Sequence, residues 1–282
     1  MHPFFLGFMA LSAAGLGSLA QTQPLGAQTL KADYDVTLAG IPLGTADLSS
    51  TFEGQKYTMQ FAVKLSGLAR MLTGGKGAAT ASGSLVGAQP QPAAFAVTSR
   101  SSSDERTVRM GLAGGNVSAV EVNPPVDEKP DRVALKDSDK RGVIDPLSAL
   151  LMPVASGKGP ADPANCNRTL PVFDGAARFN VVLSYGETRN AETGGYKGKV
   201  LVCNARYVPI AGHRALRPAT KFMESNKDMS IWLAPVEGQK VLVPVRIAVR
   251  TMVGMSVVEA STFSIDSGAR VTPISGRATL AE

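Results

Sequence analysis

Between residues 30 and 65 apolar side chains recur at every second position, and that period decides the fold class. Tyr34, Val36 and Leu38 fall on one side of an extended chain and Asp33, Asp35 and Thr37 on the other, because successive strand side chains point to opposite faces. Gly40-Ile41-Pro42-Leu43-Gly44 supplies turn chemistry, after which Ala46, Leu48, Ser50 and Phe52 resume the alternation. Glu53-Gly54-Gln55 reads as the next hairpin turn, and Tyr57, Met59, Phe61, Val63 and Leu65 carry the apolar face along a third strand. Three consecutive strands with one apolar face each predict a curved antiparallel sheet whose inner surface must be covered.

Further strands are predicted at 93–100, 106–112, 117–122, 178–184, 199–208, 229–233, 241–250, 256–265 and 270–274. Gaps closed by Gly or Pro turns suit hairpins, since parallel strands would need crossover helices in most of them. Helices are few. The best spans 146–152, where Asp145 is placed to cap, Pro146 takes the first helical position and Pro153 stops the run; 68–72 and part of 219–225 are weaker. The stretches 123–130 and 155–164 are the richest in breakers and read as loops within one domain. The expected fold is all-β and mostly antiparallel, a curved sheet closing into a barrel- or sandwich-like single domain with one or two short helices.

Residues 1–27 contain no Asp, Glu, Lys or Arg, and an apolar run from Phe4 to Leu16 leads into small residues. This is the pattern of a signal peptide cleaved after Ala20 or Ala27, leaving residues 28–282 as one β-rich exported domain. No later run approaches the roughly 18 apolar residues that a membrane-spanning helix needs.

Export bears on the only two cysteines, Cys166 and Cys203. In an oxidising compartment an even pair most simply forms one disulfide, and the spacing is not that of a Cys-x-x-Cys thiol–disulfide enzyme. No catalytic residues emerge. There is no Gly-x-Ser-x-Gly elbow, and Thr73-Gly74-Gly75-Lys76-Gly77 fails the phosphate-loop pattern because Gly77 stands where Ser or Thr is required. His213, the single histidine beyond the leader, sits in a turn-like Ala211-Gly212-His213-Arg214, and one histidine falls short of a zinc site. No cofactor or metal is expected. The net charge is +6, with Arg100, Arg106, Arg109, Arg132, Lys136, Lys140 and Arg141 crowding the middle of the chain. Such charge suits an acidic envelope component better than nucleic acid, for which no motif is present.

Several stretches resemble one family of exported bacterial proteins. Tyr34-Asp35-Val36, the Gly40–Gly44 turn, Asp145-Pro146-Leu147-Ser148-Ala149-Leu150, Cys166-Asn167-Arg168-Thr169-Leu170-Pro171-Val172-Phe173-Asp174-Gly175 and Pro209-Ile210-Ala211-Gly212-His213 are similar to domain-of-unknown-function family 3108. The resemblance implies a β-rich periplasmic protein of Gram-negative bacteria with both cysteines at family positions; it carries no catalytic residue with it. The expected role is non-catalytic support of the cell envelope through an apolar or amphipathic ligand, a lipid or other envelope component, or a protein partner. The alternative is a hydrolase or transferase of envelope polymer with an unrecognised site.

Overall fold

The backbone follows the alternation. In strand β1 (Gln28–Leu38) Leu30, Ala32 and Tyr34 are buried while Lys31, Asp33 and Asp35 face water. A computed structural model describes residues 27–67, 75–87, 89–101 and 104–267. After β1 come β2 (Ile41–Glu53), β3 (Lys56–Leu65), β4 (Lys76–Val86), β5 (Gln89–Arg100), β6 (Glu105–Ala113) and β7 (Asn116–Asn123), an up-and-down run of hairpins. A long connection containing the two-residue strand β8 (Met152–Pro153) leads to a second run, β9 (Arg168–Phe173), β10 (Arg178–Glu192), β11 (Lys197–Ala211), β12 (Met229–Pro235), β13 (Val241–Thr251) and β14 (Gly254–Ser267). Helix α1 (Pro218–Ser225) lies between β11 and β12. The runs join where β1 pairs antiparallel with β14, giving one curled sheet with β7 and β9 at its two edges.

Every strand expected between residues 30 and 265 is present, several of them longer. The expected strand 270–274, helix 68–72 and signal peptide lie outside the described residues. Two substantial strands were not expected. β4 is built from Ala, Gly and Ser, residues with little strand preference, and its two neighbours hold it in place: Met59 of β3 and Phe95 of β5 flank Ala81. β9 contains Pro171, which a sheet accepts at an edge, and β9 is an edge.

The helix expected over 146–152 is corrected to a single 3-10 turn, Ser148–Leu150. Leu151 is already extended, and Pro153 forces the residue before it away from helical geometry. The predicted cap survives. Asp145 Oδ1 accepts the N–H groups of Leu147 at 3.0 Å and Ser148 at 2.8 Å.

This connecting segment fills the concave face. Val143, Leu147 and Leu151 join Leu30, Tyr34, Phe52, Tyr57, Met59 and Phe95 in one core, and Met59 is 0% and Leu151 1% exposed. Strands of the second run close the same core from the other side, with Val200, Val202, Val243 and Val245. Tyr34 donates its hydroxyl to the carbonyl of Pro244 at 2.8 Å, tying the two runs through a buried bond. Alternate residues of β11 serve different cores: Leu201 and Cys203 turn to a second cluster with Met152, Cys166, Leu183, Leu233 and Leu242.

The edges do not pair with each other. Residues 143 and 144 bridge them, Val143 donating to the Gly115 carbonyl in the β6–β7 turn and Ile144 donating to Pro171 of β9. A side chain would not fit where the turn after β9 meets β6. Gly175, in the turn after β9, has φ +96°, and a Cβ there would lie 2.3 Å from Cγ1 of Val108 in β6. Gly175→Ala is expected to destabilise the protein by about 2 kcal/mol or more through strain and overpacking. Combining it with Val108→Ala is expected to cost less than the sum of the two single changes, which a double-mutant cycle by urea denaturation checks.

Candidate functional site

The seam between the edges brings together the two sequence blocks that most specifically carry the family resemblance. Ile144, beside the Asp-Pro-Leu-Ser-Ala run, forms a parallel bridge with Val172 of the Cys-Asn-Arg-Thr-Leu-Pro block. The third block docks just beyond the end of the second: a Cβ on Gly212 would lie 2.1 Å from the carbonyl oxygen of Ala176, so the backbones touch there. A buried carboxyl, Asp145, and a half-buried guanidinium, Arg168, sit in the first two blocks, and they form no ion pair with each other.

Asp145 is 0% exposed. Its Oδ1 is used by the cap, and its Oδ2 has no hydrogen-bond partner. Beside it Tyr57 donates its hydroxyl to Ser148 Oγ at 2.8 Å. Burial pushes the Asp145 carboxyl above its ordinary value, opposed by hydrogen bonds from Ser148 and the backbone, and burial likewise raises the Tyr57 hydroxyl. The cluster reads as an anchor for the core-filling segment, because Asp145 fixes the turn from within and Tyr57 of β3 ties Ser148 to the sheet.

Arg168 is the cation of the seam. It opens β9, donates Nη2 to the Pro153 carbonyl at 2.7 Å, and its buried Nε has no partner among the described residues. Among the described residues no carboxylate forms an ion pair with it. Burial lowers its pKa from the usual arginine value, although a guanidinium stays protonated. The side chain borders a pocket of about 420 Å³ whose other walls include Pro90 at the start of β5, Ile144, Leu151, Pro153, Leu170 and Pro171. Gln89, Asn167 and Thr169 add polar groups to the lining; one fixed cation on a largely apolar wall is the chemistry of an anion site for a molecule that also carries an apolar portion.

The protein family described as "Protein of unknown function (DUF3108)" matches residues 33–261. The chain belongs to this family. Among solved structures, the crystal structure of a beta-barrel-like protein of domain of unknown function DUF1849 from Brucella abortus has the same fold, with a TM-score of 0.51 and 12% identity over 86% of this chain and 99% of that one. No curated protein matches the chain.

In this DUF3108 member the cysteines expected to pair are brought together: the sulfurs of Cys166 and Cys203 lie 2.00 Å apart and the Cα atoms 5.4 Å apart. The link would fasten the 3-10 turn Pro163–Cys166 to the middle of β11, just ahead of Arg168. His213 stays in the turn after β11, its carbonyl accepting from Val133 and its buried Nδ1 without a partner. Several of the mid-chain cations are engaged, Arg100 with Glu105, Arg109 with Glu121, Lys140 with Asp137, and Arg132 with the Gly212 carbonyl. Arg168 carries no functional signal in the sequence, because nothing local marks an arginine as unpaired.

Two outcomes follow from this arrangement. Alkylation of the unfolded, unreduced protein should label no thiol, and two labelled thiols would refute the disulfide, whose 37-residue separation is worth about 3–4 kcal/mol in the chain-entropy model. For Asp145 the folded pKa is raised, so the folded state holds the proton more tightly than the unfolded state between about pH 4 and the folded value. Stability from this group therefore falls as pH rises through that window. Wild type should gain stability relative to Asp145→Asn as the pH is lowered from 7 toward 4, measured as the difference in denaturation midpoints.

Proposed function

We propose that the protein is a non-catalytic binding protein of the periplasm, and that the seam pocket takes an amphipathic anion with its acidic group on Arg168 and its apolar part against Ile144, Leu170 and Pro171. The observation that carries this reading is the half-buried guanidinium with an unpartnered Nε beside an apolar pocket. Leaving a buried charge unpaired costs stability, since removal from water is not repaid by a counter-ion. A ligand carboxylate or phosphate in the pocket would bring the counter-charge that the guanidinium lacks, and charge-assisted hydrogen bonds to it are among the strong ones. The leader-like N-terminus and the paired cysteines support the periplasm, and the lining supports a lipid-like rather than a sugar-like ligand.

The same argument separates binding from stability. Arg168→Met removes the charge, keeps most of the volume, and should leave the ligand-free protein as stable as wild type or slightly more so. Dodecanoate, used as a probe, should raise the melting temperature of wild type in a concentration-dependent way and leave Arg168→Met unmoved, because only a ligand that prefers the folded state stabilises it. Equal shifts in both proteins, or none in wild type, would reject the anion pocket.

A further inference from the structure

We infer that the rim formed by one end of the sheet is a docking surface for an anionic phospholipid bilayer, an inference independent of the seam pocket. The β1–β2 and β13–β14 turns lie side by side at this end, joined by the N–H of Ala39 donating to the Met255 carbonyl at 2.8 Å. Between them they expose Ile41 at 64%, Met252 at 59% and Val253 at 72%. A single exposed apolar residue is ordinary; three large ones on two adjoining turn tips are not.

Along the same rim β3, β4 and β5 end in cations. Lys64 stands directly opposite Lys76, and Lys76 directly opposite Arg100, so three like charges occupy one transverse row on one face. Direct cross-strand neighbours of one sign repel, and their spacing of about 5 Å is inside the screening length of physiological salt. Glu105 satisfies Arg100, while Lys64, Lys76 and the exposed Arg106 at the start of β6 have no ion pair among the described residues. A row that is unfavourable in the isolated protein becomes favourable against a surface of opposite charge.

The occupant is argued from shape and chemistry together. Three turn-tip side chains are too few for the core of a stable protein interface, which buries about 800 Å² on each partner. They are suited to inserting below the headgroups of a bilayer while flanking lysines meet lipid phosphates. The apolar tips and the cations sit on consecutive strand ends of a curled sheet, so they form an arc that a plane can touch at many points.

The test is sedimentation of the purified protein with vesicles of phosphatidylglycerol and phosphatidylcholine, against vesicles of phosphatidylcholine alone. Wild type should partition to the anionic vesicles, and less so as salt is raised. The variant I41S/M252S/V253S and the variant K64E/K76E should each lower that partitioning about tenfold or more. Circular dichroism and melting temperature should stay close to wild type, because all five side chains are exposed. Arg168→Met should sediment like wild type, which keeps this result separate from the pocket. Wild type remaining in solution, equal binding to both vesicle types, or both variants partitioning like wild type would each overturn the inference.

Discussion

The pairing of the first strand with the last, β1 against β14 from Gln28↔Ser267 to Leu38↔Ser256, is the contact on which the remainder of the structure depends. Each run of hairpins is local in sequence and would by itself present long unpaired edges, templates for association with other chains. Joining them through strands more than 200 residues apart makes one sheet and moves its free edges to β7 and β9. Residues 143 and 144 then link the two ends of the sheet, Val143 hydrogen-bonded to the β6–β7 turn and Ile144 to β9, with Gly175 seated against Val108 of β6. Because the decisive ladder closes the longest loop in the chain, the fold has a high contact order, and its loop-closure entropy is met before the reward of the central rungs.

The connection between the runs does two kinds of work with one stretch of chain. Its apolar residues Val143, Leu147 and Leu151 fill the hollow of the curled sheet, so the protein fills this part of its concave face with its own side chains. Its polar residues set the direction of entry: Asp145 holds the turn, and Tyr57 reaches from β3 to Ser148. The space that remains lies at the seam, where the segment leaves the core and β9 begins.

A buried carboxyl and a half-buried guanidinium lie in neighbouring sequence blocks and are treated differently. Asp145 is stabilised by backbone donors, which a carboxylate can collect from a single turn. Arg168 needs planar acceptors in number, and the protein supplies one carbonyl, from Pro153. That asymmetry separates a structural anchor from a site, and exposure adds to it, since Asp145 is fully buried while Arg168 borders the pocket.

The sequence by itself determined the strands with clear period-two alternation, the Asp145 cap and the cysteine pair as a candidate link, because each rests on neighbours in the chain or on a count of two. It missed β4, whose Ala, Gly and Ser residues have no strand preference of their own and are extended only because β3 and β5 flank them. It overran at residues 146–152, where capping chemistry was right and the length wrong, since the chain must straighten to place Met152 beside Leu242. Tertiary structure alone decided the β1–β14 junction, the seam and the isolation of Arg168. Whether a guanidinium is paired depends on which side chains surround it after folding, and those arrive from strands that no local pattern brings together.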